Sequence, residues 1–258
     1  TARESNRSWR SIASSADGTK LAAVVQGGPI YTSTDSGASW TARETNRMWY
    51  AIASSADGTK LAAAAYEGQI YTSTDSGASW MAQASGSRNW EFIASSADGT
   101  KLAAAAYNGQ IYTSTDSGAS WTARETNRMW LAIASSADGT KLAAVAAFAQ
   151  IYTSTDSGAT WTARASSQYW RTIASSADGT KLAAGVSGGQ IYTSTDSGAT
   201  WTAQASGSLD WQTIASSADG TKLAAGVTDG MSSGQIYTST DSGASWTARE
   251  TNRMWYSV

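Results

Sequence analysis

The sequence predicts an all-β chain, a six-bladed β-propeller with four antiparallel strands per blade. Three observations predict it. A unit of about 40 residues recurs along the chain. Each unit holds four short segments bounded by turn chemistry. Within each unit, residue size grows from the first segments to the last.

The repeat is visible in two strings. SADGTKLAA occurs six times, with its aspartate at Asp17, Asp57, Asp98, Asp138, Asp178 and Asp219. IYTSTDSGA also occurs six times, with its aspartate at Asp35, Asp75, Asp116, Asp156, Asp196 and Asp241. The first set is spaced by 40, 41, 40, 40 and 41 residues, the second by 40, 41, 40, 40 and 45. The last, longer gap reflects an insertion near Asp229 to Ser233. This period suits propeller blades or helical repeats, so the pattern inside one unit must decide.

The second unit shows the pattern. Trp49 to Ser54 reads WYAIAS, followed by the turn cluster SADGT. Lys60 to Ala65 reads KLAAAA, followed by a short Gly-bearing turn at Tyr66 to Gly68. Gln69 to Ser73 reads QIYTS, then the turn TDSGA leads into SWMAQ at Ser79 to Gln83. Four segments of this length between turns are strands. Alanine favours helix in KLAAAA, but so few residues between two turns cannot sustain one. Six such sheets read as a propeller. The early strands are rich in small residues (Ala22, Ala23, Ala62 to Ala65), while the later ones carry Ile70, Tyr71 and Trp80. Small residues near an axis and aromatics outside fit a wedge. Unalternated apolar runs such as Leu21 to Val25 fit sheets covered on both faces.

Blades are expected near 9–48, 49–89, 90–129, 130–169, 170–210 and 211–254, in a single domain spanning 1–258. The ends overlap: residues 1–8 include a copy of a fourth strand, and 255–258 a copy of a first strand. One copy is expected to close the ring, leaving the redundant end to fray or pair elsewhere. A monomer is expected, with a domain-swapped oligomer as the alternative. The chain begins Thr1-Ala2-Arg3-Glu4 without an initiator Met or a signal h-region, which suggests a start processed or cut from something longer.

Composition removes several functions. There are 13 Trp, 11 Tyr and 2 Phe, so indole and phenol carry the aromatic packing. With no Cys there is no disulfide scaffold, thiolate nucleophile or zinc-thiolate site. With no His there is no Ser-His-Asp triad. No cofactor or metal is expected. A formal charge of −2 without basic runs argues against nucleic acid. No apolar run has the length of a membrane-spanning helix.

The segment Ser33-Thr34-Asp35-Ser36-Gly37-Ala38-Ser39-Trp40 resembles an Asp-box, the S-x-D-x-G-x-[ST]-W hairpin of BNR-type propellers. It recurs at Ser73 to Trp80, Ser114 to Trp121, Ser154 to Trp161, Ser194 to Trp201 and Ser239 to Trp246. That family includes sialidases, sortilin-like receptors, some glucanases and lectin-like proteins. The resemblance implies a hairpin between the third and fourth strands, a role in holding the fold, and a secreted or extracellular setting. The physical reason is local. The aspartate accepts N–H bonds inside the turn, the glycine supplies positive φ, and the tryptophan packs back onto the sheet. Asp35, Asp75, Asp116, Asp156, Asp196 and Asp241, with Trp40, Trp80, Trp121, Trp161, Trp201 and Trp246, are therefore structural residues. The SADGT turn follows the same logic.

The repeats differ in a patterned way. SADGT and TDSGA hardly vary. The turns between second and third strands read QGGP, YEGQ, YNGQ, AFAQ, SGGQ and TDGMSSGQ, and the inter-blade links vary too. In an antiparallel blade these variable segments share one face. Loops on a rigid scaffold are where binding is usually placed, with neutral drift as the rival explanation. The residue after each linking Trp also changes: Arg10, Tyr50, Glu91, Leu131, Arg171 and Gln212. These six are candidate ligand-binding residues around a central pocket, with Tyr66 and Tyr107, beside Glu67, Asn108 and Phe148, as a second tier. Aromatics for stacking, with Arg, Glu and Gln as hydrogen-bond partners, suit a sugar. The linking Trp49, Trp90, Trp130, Trp170 and Trp211 occur in every blade and read as packing.

The expected function is a non-catalytic binding or scaffold propeller, lectin-like, with a glycan or protein as partner on its variable face. One alternative is an engineered or recently amplified scaffold without a ligand. Another is a sialidase-like glycosidase, in which Arg10, Arg171, Tyr50 and Glu91 would carry the chemistry and Glu67 with Glu91 would be the carboxylate pair. The Arg-Ile-Pro motif of such enzymes is absent.

Overall fold

A computed structural model describes residues 7–228 and 234–249. The chain divides into two compact units, Thr1–Asn127 and Arg128–Val258. The described residues of both are strands and turns, without helix. The expectations for the two chain ends, for ring closure and for the insertion at Asp229 to Ser233 fall largely or wholly on residues outside those described.

The first unit contains three repeats. The first repeat is β1 (Trp9–Ser14), β2 (Leu21–Gly28), β3 (Ile30–Ser33) and β4 (Thr41–Ala42). The second is β5 (Arg47–Ser54), β6 (Leu61–Ala65), β7 (Ile70–Ser73) and β8 (Met81–Ala82). The third is β9 (Trp90–Ser95), β10 (Leu102–Gly109), β11 (Ile111–Ser114) and β12 (Thr122–Ala123). The second unit repeats the plan. It runs through β13 (Arg128–Ser135), β14 (Leu142–Ala146), β15 (Ala149–Ser154) and β16 (Thr162–Gln168). Then come β17 (Trp170–Ser175), β18 (Leu182–Gly189), β19 (Ile191–Ser194) and β20 (Thr202–Ala203). The last four are β21 (Leu209–Ser216), β22 (Leu223–Thr228), β23 (Ile236–Ser239) and β24 (Thr247–Ala248).

Consecutive strands of a repeat pair antiparallel, as in β5–β6–β7–β8. The alanine-rich segment is a strand, as the turn spacing requires. One expectation is corrected. Pairing does not leave six separate sheets of four; the described strands form three sheets of eight. The cause is a strand that runs past its meander. The far end of β2 also pairs with the start of β5, at Gln26↔Met48 and Gly28↔Arg47. In the second unit β18 pairs with β21 in the same way, at Ser187↔Asp210 and Gly189↔Leu209. The backbone groups that β2 presents beyond its hairpin thus find partners in the next link.

Adjacent repeats pack through small residues. One core joins Ala22, Val24 and Ile30 of the first repeat to Trp49, Ile52, Leu61, Ala63 and Ala65 of the second. An equivalent core in the second unit joins Ala143, Val145 and Ile151 to Trp170, Ile173, Leu182 and Val186. The linking Trp49, Trp90, Trp130, Trp170 and Trp211 are completely buried. Each meets a tyrosine of its own repeat edge-on, Trp49 with Tyr71 at 5.2 Å and Trp170 with Tyr192 at 5.1 Å between ring centroids. Such pairs favour the fold beyond their buried area, by about 1 kcal/mol. Thr172 lies opposite Gly185 and Thr213 opposite Gly226, whereas Ala132 lies opposite Val145. A Cβ built on Gly185 would stand 2.9 Å from Thr172 Cγ2 and 2.9 Å from Trp211 Cβ.

The two invariant turns of a repeat lie at one end and hold each other. The backbone N–H of Ser36 donates to the Thr19 carbonyl at 2.9 Å, and Ser76 does the same to Thr59. In the STDSGAS turn, Ser39 donates to Asp35 through both its hydroxyl (2.6 Å) and its N–H (2.9 Å), and the Ser33 hydroxyl donates at 2.7 Å. Ser33 in turn accepts the N–H of Gly37 at 2.9 Å. The indole of Trp80 donates to the Gly77 carbonyl at 3.1 Å, and Trp121, Trp161, Trp201 and Trp246 make the matching bond. Trp40 packs beside Trp9, with centroids 6.4 Å apart. In the other turn, Asp17 accepts from the Ser15 hydroxyl at 2.6 Å and from Thr19 N–H at 3.0 Å. This end also ties repeat to repeat: Ala16 N–H donates to the Ala56 carbonyl at 2.7 Å, and Lys20 Nζ donates to the Asp57 carbonyl at 3.0 Å.

Candidate functional site

At the opposite end of each repeat the variable turn meets the variable links. The N–H of Tyr66 donates to the Met48 carbonyl, that of Tyr107 to Asn89, and that of Ser187 to Tyr169. The Ser87 hydroxyl donates to the Glu67 carbonyl at 3.0 Å. The tip of the variable turn adopts positive φ whatever its residue: Gly27 (74°), Glu67 (53°), Asn108 (51°), Phe148 (54°) and Gly188 (70°).

The six candidate positions after the linking tryptophans share one backbone feature. In the first repeat Trp9 pairs with Val25 and Ser11 with Val24, so Arg10 is skipped. The same register shift skips Tyr50, Glu91, Leu131, Arg171 and Gln212. Each is the extra residue of a β-bulge. A bulge frees its residue from the ladder and re-aims its side chain, and such bulges cluster next to functional sites. The positions where the repeats differ most within a strand are thus those the ladder does not constrain.

In the first unit these positions come together. The guanidinium carbon of Arg10 lies 4.4 Å from the ring centroid of Tyr50. Tyr50 also stacks on Tyr66, with centroids 4.9 Å apart and planes 24° apart. Gln26 Nε2 donates to the Tyr50 hydroxyl at 3.2 Å. Partial burial holds the Tyr66 phenol above its ordinary pKa, reinforced by the charge of Glu67 and by Tyr50, Glu91 and Tyr107 nearby. Arg10, Tyr50 and Tyr66 therefore form one cluster, with Gln26 at its edge, and the charges of Glu67 and Glu91 reach Tyr66 electrostatically. A cation over an aromatic face that is itself stacked adds roughly 0.5–2 kcal/mol to its order.

In the second unit the pattern changes. Arg171 Nε donates to Gln212 Oε1 at 3.0 Å, joining two candidate positions side by side. Leu131 is a correction to the expected ligand-facing set. Only 6% of it is exposed, because an apolar side chain at the bulge gains by packing inward where Arg or Gln stays hydrated.

Sequence reasoning missed three things. Gln26 lies in the first variable turn and holds the Tyr50 hydroxyl. Asp210, in a link, accepts the Ser187 hydroxyl. Tyr169, in another link, stacks on Phe148 with centroids 4.7 Å and planes 11° apart. A signal existed for the last pair. Turn tip and following link lie 21 residues apart, and at that spacing only the fourth repeat has two aromatics.

No protein-family model matches the chain, and no curated protein matches it by sequence. Solved structures do. The structure titled YCF48 bound to D1 peptide superimposes with a TM-score of 0.71 at 17% identity, over 94% of this chain and 82% of that one. YCF48 from Cyanidioschyzon merolae gives 0.71 at 18% identity, over 96% and 87%. The GH74 xyloglucanase from Xanthomonas campestris gives 0.70 at 18% identity, over 95% of this chain and 45% of that chain. At such identities the likeness is one of fold. The chain shares the repeated antiparallel sheets of β-propeller proteins, including one solved with a bound peptide.

Proposed function

We propose that the chain is a non-catalytic binding propeller of six Asp-box blades, and that the Arg10–Tyr50–Tyr66 stack with Glu91 and Tyr107 binds a segment of a protein partner. The observation that carries the reading is the β-bulge at all six variable positions. A scaffold without a ligand has no use for a device that presents its most varied strand residue off the ladder. Peptide rather than sugar follows from the stack. The ring of Tyr50 is already engaged by both Arg10 and Tyr66, which leaves it a poorer platform for a pyranose ring. What remains is a rim of guanidinium, phenol and carboxylate groups, suited to the amides and charged side chains of a peptide. The peptide-bound structural neighbour supports the same class of ligand.

The test is selection from a random peptide library on the intact protein, repeated with Tyr50→Leu and Glu91→Gln. A shared sequence motif enriched by the parent and lost in both variants supports the reading. Enrichment that survives both substitutions removes it.

A further inference from the structure

We infer that Phe148 and Tyr169 form a second ligand site, an aromatic platform in the second unit that takes the pyranose ring of a neutral saccharide. It does not rest on the peptide reading, which concerns the first unit.

Phe148 is 77% exposed, more than any other large apolar side chain among the described residues. Its backbone sits at φ 54°, where a bulky residue is strained. Folding does not require that strain. Three other repeats place Gly27, Asn108 or Gly188 at the same tip, residues that accept this conformation more easily, and the second places Glu67 there at φ 53°. An exposed, strained aromatic that the fold does not need points to a use.

The surrounding backbone is also different. The fourth strand of every other repeat is two residues long, but β16 has seven. The extension pairs Ala149 with Gln168, directly between Phe148 and Tyr169. Gln150 Nε2 adds a bond to the Ala165 carbonyl at 3.0 Å, and Ser187 N–H fixes the Tyr169 carbonyl at 3.0 Å. Turn and link are thus laced into one ribbon. The two rings stack nearly parallel upon it, and the open face of Phe148 looks outward. The platform is held before any ligand arrives, which lowers the ordering cost of binding.

Local chemistry selects the ligand. Residues 147–150 read AFAQ and residues 165–169 read ASSQY, without a charge. Ser166 and Ser167 are exposed hydroxyls beside the platform. A flat apolar surface rimmed by neutral hydroxyl and amide groups matches a pyranose, whose C–H face is apolar and whose edge is hydroxylated. The acidic Glu67 at the same tip in the second repeat makes a different surface, so the two units present different chemistries.

The experiment is saturation-transfer NMR on the intact protein with cellotetraose, maltotetraose and chitotetraose, and with a proline decapeptide for comparison. Phe148→Asn is the variant, because asparagine already occupies this tip as Asn108. Saturation concentrated on one face of a pyranose ring is expected for at least one oligosaccharide. Affinity is expected to fall about tenfold or more in Phe148→Asn, with Tm unchanged or raised. Three results overturn the inference: no transfer to any of the three sugars, equal binding by the variant, or transfer to the decapeptide alone. Concentration-dependent self-association that Phe148→Asn abolishes also overturns it, since a second copy would then cover the ring.

Discussion

Each repeat has two ends that obey different rules. At the invariant end, Asp35 and Asp17 are saturated with local donors, and glycines such as Gly77 and Gly58 are in contact with the preceding repeat. A Cβ on Gly77 would lie 2.6 Å from Thr32 Cγ2, and one on Gly58 would lie 2.8 Å from Lys20 Cβ. At the variable end, Gly188 has an equally left-handed φ of 70° but no atom within 4 Å of its built Cβ. Both ends hold crowded glycines, but at the variable end the crowding is within one repeat (a Cβ on Gly68 would lie 2.9 Å from Ala65 Cβ, one on Gly189 2.7 Å from Val186 Cγ1), whereas Gly77 and Gly58 meet the neighbouring repeat. Evolution or design can alter the second end without disturbing the packing between repeats, which is the condition for placing recognition there.

The comparison can be broken or sharpened by measurement, beginning with the largest effect. Acid should act on the whole invariant end at once. Hydrogen bonds from Ser39 hydroxyl, Ser39 N–H and Ser33 hold Asp35 at about 2, below the ordinary 3.8, and Asp75, Asp116, Asp196 and Asp241 behave alike. The folded state therefore binds fewer protons than the unfolded state across that interval. This contribution is fully present above about pH 4 and is lost as pH falls through about 2. A Tm that stays constant from pH 5 to below pH 2 would remove the aspartates as a source of stability.

Gly77→Ala should cost about 2–4 kcal/mol by denaturant unfolding, since backbone strain adds to a clash with Thr32. Gly185→Ala should cost about 1–3 kcal/mol. Its test is a double-mutant cycle: Thr172→Ala should recover part of that loss, because it vacates the space the new methyl enters. Additive losses would show that the pair does not share volume. Gly188→Ala should cost only about 1 kcal/mol, the left-handed backbone term alone. Glu67→Gln should leave stability within about 0.5 kcal/mol, and a larger loss would mean that the variable end also carries the fold.

Much of this was legible in the sequence, and the reasons are local. The hairpin role of Asp35 and Trp40 follows from contacts within eight residues. The split between invariant and variable ends follows from antiparallel connectivity alone. What was not legible involves a second repeat. Nothing in the residue type says that Tyr50 meets both Arg10 and Tyr66, or that Leu131 is buried where its counterparts stay at least partly exposed. The positive φ of Ser36 beside Gly37 was also hidden, since serine has no preference for it and the turn imposes it.

By itself the sequence determined the secondary structure, the number of repeats and which end of each repeat varies, because those follow from periodicity and short-range hydrogen bonding. Only the tertiary structure decided that the variable residues sit on bulges, which of them meet, and that strands pair beyond their own meander. Those outcomes depend on backbone register and on the surface of the adjacent repeat, and neither is encoded within one 40-residue unit.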